Sequence, residues 1–324
     1  MKSNRRASSN SGEPMDDSIR AILEKQHYHV VGEHSGVKLC HWLGEKLLRG
    51  RPCYKESFYG IESHRCLQMS PAVNNCTQTC LFCWRYQGLL ETAIPEEDGP
   101  EDILEGAIEG QRALTTGYKG DARCSKEMWK EAQNPTNVAI SLSGEPTMYS
   151  RLGEFIEACH KRGMTTFLVT NGTLPEVLER LDPLPSQLYV TVAAPNEEIY
   201  RKLCVPLQKD GWQRLNRTLE LLPSLGTRTV VRHTLVDGWN VGWEKEYAKL
   251  DNKANPLFIE PKGYVFVGYS RERMHSHNMP SQESVMRFSE RLAAETGRKV
   301  LAEQAPSRVV LVGADKSKMR VRGD

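Results

Sequence analysis

The chain has almost no excess of charge of either sign, because its 43 lysine and arginine residues are balanced by 41 aspartate and glutamate residues. This balance gives no sign of a uniformly basic surface, so a nucleic-acid partner would have to be bound by a local basic patch. At 324 residues the chain is long enough to form one large α/β domain or two ordinary ones.

Long hydrophobic runs are also missing. The N-terminal stretch MKSNRRASSNSGEPMDDS contains basic residues but no apolar signal-peptide core, and no segment approaches the ~18 apolar residues of a membrane helix. Residues 1–16 are so poor in apolar side chains that we expect a disordered leader. We therefore expect a monomeric, cytoplasmic protein that makes no contact with a membrane.

Nine cysteines are present, and an odd number without an export signal predicts reduced thiols that serve as ligands or core residues. Two of them, Cys159 on the apolar face of a predicted helix and Cys204 at a helix end, are expected to be core residues. Cys124 lies in a polar segment that predicts no role for it.

Beyond residue 136, apolar β-rich runs alternate with amphipathic stretches. Strands are predicted at 137–143, 164–171, 188–192, 228–236, 256–261 and 308–313, and helices near 197–203, 212–222, 243–250 and 282–295. This alternation predicts an α/β fold with a parallel sheet covered by helices. A further helix is predicted after Thr173, which would cap its N-terminus.

Two architectures fit that alternation, an open doubly wound sheet and a full or partial (β/α) barrel. No G-x-G-x-x-G follows a predicted strand, which weakens the dinucleotide-binding form of the first. Both architectures place the active site at the carboxyl ends of the strands. Polar turns fall there at 143–146, 170–172, 237–238 and 260–263.

Three closely spaced cysteines, Cys76, Cys80 and Cys83, form a C-x3-C-x2-C pattern in AVNNCTQTCLFCWR. Disulfides use thiols in pairs and closed zinc sites usually have four ligands, so a set of three leaves a coordination position open. Three thiolates on a cubane iron–sulfur cluster would leave one iron free to bind a substrate or cofactor.

This triplet resembles the signature of the radical S-adenosylmethionine (SAM) superfamily. The resemblance implies a [4Fe–4S] cluster whose open iron binds the amino and carboxylate groups of SAM, and whose reduction cleaves SAM to a 5′-deoxyadenosyl radical. It also implies that Gly144 allows close approach of the backbone and that Glu145 accepts hydrogen bonds from the SAM ammonium group. Asn171 is a further candidate for SAM contact, although a turn residue is the simpler interpretation.

Three other cysteines lie upstream, Cys40, Cys53 and Cys66, with twelve residues between neighbours. This wide spacing differs from the tight pairs of a zinc finger. Without other context, buried core cysteines would be the better explanation for them.

The chain resembles the archaeal-type 4-demethylwyosine synthase family from about residue 18 to about residue 313. The resemblance is carried by the whole cysteine region, VKLCHWLGEKLLRGRPCYKESFYGIESHRCLQMSPAVNNCTQTCLFCWR, and by SLSGEPTMYSRL, TTFLVTNGTLPEVL, APNEEIYRKL, KDGWQRLNRTLELL and IEPKGYVFVGYSRERM. It implies a partial (β/α) barrel over 71–313, preceded by a helical segment over 17–70 that carries cysteines and followed by a basic tail over 314–324.

The same resemblance implies two [4Fe–4S] clusters, the second held by Cys40, Cys53 and Cys66. It implies a ring-forming carbon–carbon lyase that condenses N1-methylguanosine at position 37 of tRNA-Phe with pyruvate. Electrons would come from an external low-potential donor, a ferredoxin or a flavodoxin, because nothing in the chain resembles the flavodoxin-like domain of eukaryotic relatives.

Lys55 matches a lysine that the family is thought to use as a Schiff-base partner for pyruvate. In the rival mechanism the open iron of the second cluster chelates pyruvate, and Lys55 only positions it. A solvated surface lysine is the simplest alternative to both.

A tRNA substrate requires a basic rim around the barrel mouth, and aromatic side chains there could stack on bases. The basic candidates are Lys46, Arg49, Arg51, Lys262, Arg271, Arg273, Lys316, Lys318, Arg320 and Arg322, and the aromatic ones are Tyr59, Trp84 and Tyr269. Two other functions stay open, a radical SAM enzyme that modifies a different RNA or protein substrate, and a metal-binding adaptor with structural zinc.

Overall fold

The computed structural model describes residues 15–88, 92–94 and 97–321. The expected leader therefore lies outside the described residues except for its last two positions, and so do the last three residues of the expected basic tail. Across the described part of the chain, no helix is both long enough and apolar enough to cross a lipid bilayer.

Eleven helices and ten strands are found in the described residues. The helices are α1 Asp17–Lys25, α2 His41–Arg49, α3 Tyr54–Tyr59, α4 Pro100–Thr115, α5 Lys126–Ala132, α6 Leu152–Lys161, α7 Pro175–Arg180, α8 Glu197–Leu203, α9 Gly211–Leu221, α10 Glu244–Ala254 and α11 Gln282–Thr296. The strands are β1 His29–Val31, β2 Ser35–Val37, β3 Cys66–Ser70, β4 Asn137–Ile140, β5 Thr165–Thr170, β6 Gln187–Thr191, β7 Arg228–Leu235, β8 Phe258–Gly263, β9 Lys299–Gln304 and β10 Val309–Gly313.

All ten strands join one sheet in the order β1-β2-β3-β4-β5-β6-β7-β8-β10-β9. The six central strands, β3 to β8, are parallel and neighbour one another in chain order. A doubly wound sheet would reverse this order at a switch point, whereas a (β/α) barrel keeps it. The sequential order confirms the partial barrel, and antiparallel strands extend both of its edges.

The two faces of the sheet bury different layers, because successive side chains along a strand point to opposite sides. On one face, Leu168, Val190 and Val231 join the large core formed with the surrounding helices. On the other face, Phe167 and Tyr189 contact the short helix α3.

Helix α3 is held on that inner face by aromatic contacts. The ring of Tyr59 lies 6.5 Å from Phe167, 6.4 Å from Tyr189 and 6.0 Å from Phe258, measured between ring centroids. The residues that precede and begin α3, including Cys53 and Lys55, are therefore carried into the interior of the barrel.

The N-terminal segment differs from the expectation of a helical unit. Residues 17–70 contain strands β1, β2 and β3 as well as three helices, and Val37, expected within a helix, ends β2. These strands are short and depend on pairing with one another, so the local pattern gave little sign of them.

The predicted cap at Thr173 is wrong. Helix α7 begins after Leu174, which caps it without a side-chain hydrogen bond, although Pro175 does occupy the first turn. The Thr173 hydroxyl instead lies 2.7 Å from the hydroxyl of Thr77 and 2.7 Å from Asn171 Oδ1, so it ties two loops together.

A fully buried charged pair joins the sheet to its outer helices. His233 Nδ1 donates to the Val192 carbonyl at 2.9 Å, and His233 Nε2 lies 3.0 Å from Asp251 Oδ2. Both side chains are completely shielded from solvent.

Replacement of Asp251 by alanine should lower the free energy of unfolding by about 3–5 kcal/mol, because it leaves a buried donor without its acceptor. Asp251→Asn keeps an oxygen acceptor and should cost less. Glu220→Ala, which removes the exposed partner of Lys253, should change the free energy of unfolding by less than about 1 kcal/mol. Urea unfolding followed by circular dichroism measures all three, and equal stability of Asp251→Ala and Glu220→Ala would contradict a structural role for the pair.

Candidate active site

A cavity of about 360 Å³ opens at the carboxyl ends of the parallel strands. Its lining includes the cysteines Cys76, Cys80, Cys83 and Cys204 and two turns that follow strands, residues 141–145 and 169–171. A basic wall formed by Arg232, Thr234 and Lys262 completes the lining. This position agrees with the general location of active sites in barrels.

The loop after β3 brings the three cysteines of the C-x3-C-x2-C motif together. Burial raises the pKa of the Cys76 thiol, and the nearby Cys83 raises it further. A hydrogen bond with Cys204 raises the pKa of Cys80, and burial, Cys83 and Cys76 add to that effect. The three thiols are thus near neighbours, as a shared ligand site requires.

Arg85 lies beside this triad and is the first site residue that the sequence analysis missed. Its Nε is 3.3 Å from Cys83 Sγ, and its Nη1 donates to the Val73 carbonyl at 3.3 Å. Burial alone would lower the pKa of this guanidinium, but Cys76 and Cys83 outweigh burial, so the pKa is raised. The side chain stays charged and offsets the negative charge of thiolates. The sequence feature that could have identified Arg85 as a site residue is its position directly after the cysteine motif.

Gly144 forms a very close backbone contact with the cysteine loop. Its φ is +72°, and a Cβ at this position would lie 1.6 Å from the Ala72 carbonyl oxygen. The next residue, Glu145, donates its backbone N–H to the Asn75 carbonyl at 2.7 Å. Only glycine permits both the conformation and the approach.

The Glu145 carboxylate holds the turn that follows β5. Its Oε1 accepts from the Thr147 N–H at 3.2 Å and from the hydroxyls of Thr147 and Thr170, both at 2.6 Å. Within the described part of the chain, its Oε2 accepts one hydrogen bond, from the Asn171 N–H at 2.7 Å. A carboxylate oxygen has room for more than one donor, so Oε2 retains capacity to bind a cationic group.

Asn171 connects that turn to the cysteine loop. Its Nδ2 donates to Thr77 Oγ1 at 2.9 Å and lies 3.9 Å from Cys76 Sγ. The structure therefore brings Gly144, Glu145 and Asn171 to the first triad, as the sequence analysis expected of one site.

The second set of cysteines also converges. Cys40 precedes α2, Cys53 precedes α3 and Cys66 begins β3. Burial raises the pKa of Cys66 to about 12 against the influence of Lys55, and Cys53 and Cys40 raise it further. Burial and then Cys53 likewise raise the pKa of Cys40. Residues far apart in sequence are thus neighbours here.

Lys55 is buried among these thiols. Its Nζ lies 4.7 Å from the ring centre of Phe167 and 5.1 Å from that of Tyr189. Burial lowers the pKa of the amine, and the thiol of Cys66 opposes that change. The interpretation of Lys55 as a solvated surface residue is therefore wrong.

A buried polar network joins this region to the cavity. Arg232 donates through Nη2 to the Tyr54 hydroxyl at 2.6 Å and to Glu260 Oε2 at 2.8 Å. The Tyr59 hydroxyl donates to Glu260 Oε1. Arg232 was missed because it belongs to an apolar strand run, where a polar residue in an otherwise buried strand was the only signal. Glu260 lies in the polar stretch 260–263 that was expected at the strand ends, but no role was predicted for it.

Lys262 belongs to the same basic wall. Its Nζ donates to the Ser307 carbonyl at 2.7 Å and lies 5.5 Å from the ring centre of Tyr54. Burial lowers its pKa to about 8, with a further contribution from Arg232. Lys262 lines the cavity and is half-buried, so its expected contact with RNA stays a prediction.

The other rim candidates divide into two groups. Tyr59 is a core residue, and Arg273 donates to the carbonyls of Leu81 and Cys83, so neither is a free RNA contact. Arg49, Arg51, Arg271, Lys316, Lys318 and Arg320 are exposed, and Lys46, Trp84 and Tyr269 are half-buried. Arg322 lies outside the described residues. The exposed and half-buried candidates remain predictions.

Both triads have the chemistry that an iron–sulfur cluster requires. All nine cysteines are free thiols, each triad is brought together in the interior, and each has a cation beside it, Arg85 or Lys55. Three soft sulfur ligands in a largely buried setting suit iron–sulfur clusters.

Comparison with known proteins matches the two parts of the chain to two families. Residues 70–250 match the radical SAM superfamily, and residues 253–313 match a family described as wyosine base formation.

Full-length relatives are S-adenosyl-L-methionine-dependent tRNA 4-demethylwyosine synthases. The protein from Pyrococcus horikoshii is 51% identical over 307 residues, which are 93% of this chain and 90% of the relative. The protein from Methanocaldococcus jannaschii is 37% identical over 310 residues, 94% of this chain and 98% of the relative.

Two solved structures share the fold over nearly their whole length. A structure of TYW1 with a lysine–pyruvate adduct bound gives a TM-score of 0.85 at 36% identity, covering 93% of this chain and 97% of that one. A crystal structure of archaeal TYW1 gives 0.76 at 34% identity, covering 92% and 96%.

Replacement of Gly144 by alanine should push the cysteine loop away from the turn and lower the iron bound after anaerobic reconstitution, since Cys76, Cys80 and Cys83 lie on that loop. Gly163→Ala is the matched control, because Gly163 also has a positive φ, +68°, but no atom lies within 4 Å of an added Cβ. Colorimetric iron analysis should show full loading in the control. Equal iron content in the two variants would show that the close contact at Gly144 is unimportant.

Proposed function

The chain belongs to the radical SAM superfamily and, within it, to the tRNA 4-demethylwyosine synthases, and from this premise we propose that it condenses N1-methylguanosine at position 37 of tRNA-Phe with pyruvate. The product is the tricyclic wybutosine precursor, 4-demethylwyosine. The observation that carries the proposal is the position of the Lys55 amine, which lies among the thiols of the second triad and beneath the cavity that holds the first.

The first triad is the site of radical formation. Cys76, Cys80 and Cys83 hold a [4Fe–4S] cluster, which supplies the electron that cleaves SAM to methionine and a 5′-deoxyadenosyl radical. Gly144 lets the backbone come close to SAM, and Glu145 Oε2 accepts a hydrogen bond from its ammonium group. Asn171 keeps this turn beside Cys76, with its amide 3.9 Å from the sulfur.

The second triad is the pyruvate site. Cys40, Cys53 and Cys66 hold a second [4Fe–4S] cluster, and Lys55 condenses with the pyruvate carbonyl as a Schiff base. Burial lowers the pKa of Lys55, which favours the neutral amine that attacks a ketone. A relative has been solved with a lysine–pyruvate adduct bound, which supports this role over one of positioning alone.

The charges around the pyruvate site favour an anion. Arg232 is balanced by Glu260, whereas Lys262 donates to the neutral carbonyl of Ser307. Lys55 is neutral when it attacks the carbonyl, so Lys262 is the cation left to balance the pyruvate carboxylate.

The reaction joins the two sites. The modified base leaves its stack to enter the cavity, and the 5′-deoxyadenosyl radical removes a hydrogen atom from its N1-methyl group. The methyl carbon radical then adds to the carbonyl carbon of pyruvate, and the bond to the carboxylate breaks to release carbon dioxide and one electron, which replaces the electron used to cleave SAM. The exocyclic amine of guanine displaces the Lys55 amine from the imine and so closes the ring.

Three further features complete the proposal. Electrons come from an external ferredoxin or flavodoxin, and the reduced thiols and tRNA substrate suit the cytoplasm. Large exposed apolar side chains in the described residues are few, Leu207, Trp243, Val265 and Val267, which suits a monomer.

The reconstituted protein should convert tRNA bearing N1-methylguanosine to the tricyclic nucleoside when SAM, dithionite and pyruvate are supplied, as measured by nucleoside mass spectrometry. Cys80→Ala should form neither product nor 5′-deoxyadenosine. Cys53→Ala should form 5′-deoxyadenosine without the tricycle, because only pyruvate binding is lost. An unmodified protein that cleaves SAM but yields no tricycle would overturn the substrate assignment in favour of another radical SAM reaction.

Borohydride should trap ¹³C-labelled pyruvate on Lys55, and tandem mass spectrometry should locate the adduct. Lys55→Arg should abolish trapping, because a guanidinium does not form the imine. Lys262→Arg is the matched control, since it changes the other buried lysine of this region, and it should retain the adduct. Trapping that survives Lys55→Arg would leave Lys55 with a positioning role only.

A further inference from the structure

Cys204, expected to be a simple core residue, faces one of the cluster ligands. It follows α8 directly, is buried, and lines the same cavity as Cys80. The two thiols are close enough to interact, since Cys204 is the largest influence that raises the pKa of Cys80, and the Cys80 thiol also donates to Gln78 Oε1 at 3.2 Å. The mechanism proposed above makes no use of Cys204.

The backbone holds the two cysteines opposite each other. Thr79 donates to the Val205 carbonyl at 3.0 Å and Leu81 donates to the Leu203 carbonyl at 2.9 Å, one bond on each side of the pair. Gln78 and Pro206 form an antiparallel bridge just beyond them. Cys80 and Cys204 lie between these two backbone bonds, so they stand at matching positions on the two segments.

We propose that Cys204 is the partner with which Cys80 forms a reversible disulfide when the cluster site is without iron. A peroxide is the oxidant. One thiol is oxidised to a sulfenic acid with release of one water, and the second thiol condenses with it to release another. In total, two S–H bonds are replaced by one S–S bond, and hydrogen peroxide is reduced to two waters.

Cys80 is the member of the triad suited to this reaction. Cys83 contacts Arg85 and Cys76 contacts Asn171, whereas Cys80, besides its hydrogen bond to Gln78 Oε1, has the thiol of Cys204 beside it. The disulfide blocks cluster assembly, because it occupies one of the three ligands. It also protects that ligand from oxidation to the sulfinic acid, which is irreversible, and a dithiol restores the site.

The test uses the full chain after anaerobic removal of iron with a chelator. One equivalent of hydrogen peroxide should lower the free thiols from nine by two, and non-reducing peptide mass spectrometry should find Cys80 linked to Cys204. Iron loading should be lost and then restored by dithiothreitol. These measurements do not require tRNA or pyruvate, so their outcome is independent of whether the proposed function is correct.

Cys204→Ala and Cys204→Ser should give no link, and a second equivalent of peroxide should convert Cys80 to the sulfinic acid, so dithiothreitol should fail to restore iron loading. Cys159→Ala, which changes a buried cysteine outside the cavity lining, should behave as the unmodified chain. The proposal is overturned by any other pairing, by the absence of a disulfide, or by full recovery of iron loading in either Cys204 variant.

Discussion

The buried ion pair between Arg232 and Glu260 connects the two halves of the active site. Burying two charges is costly unless their remaining hydrogen-bonding capacity is used, and here the hydroxyls of Tyr54 and Tyr59 use it. Both tyrosines belong to α3, which at six residues is too short to be stable alone. The position of α3 on the inner face of the sheet therefore depends on this network. Because Cys53 and Lys55 lie at its first turn, the geometry of the second site depends on it too.

Both triads bring three thiols into a largely buried site, and a different cation lies beside each of them. Three thiolates in a largely buried site need positive charge nearby, and Arg85 supplies it to the first triad while Lys55 supplies it to the second. A guanidinium remains charged under all physiological conditions and does not react with ketones. A buried amine can lose its proton and form an imine. The choice of cation thus separates a site that only needs charge from a site that needs charge and a nucleophile.

Local sequence patterns predicted the sheet better than they predicted the site. Strands β4 to β8 were predicted because each is a continuous buried run, whereas β1 and β2 are three residues long and gain their stability from pairing with each other. The first cysteine triad and the turn at 143–146 lie in short motifs, whereas the second triad, with twelve residues between neighbours, was expected only from the family resemblance. The contact between Tyr59 and Glu260 joins residues 201 positions apart, and no local pattern contains such a pair. Thr173 lies in a sequence context typical of a helix cap, but its hydroxyl is hydrogen-bonded to the hydroxyl of Thr77 in the cysteine loop instead.

A cluster site with an open coordination position is more easily damaged by oxidants than a closed one. The iron that binds SAM is exposed to other small molecules, and loss of the cluster leaves three thiols in a cavity that oxidants can enter. Burial raises the pKa of Cys76, which lowers its thiolate fraction and slows its oxidation. Cys80 has a second safeguard, since the thiol opposite it can take up the oxidation as a disulfide. The same backbone bonds that fix the cysteine loop to the end of α8 place Cys204 there, so the loop geometry that forms the SAM site also provides its protection.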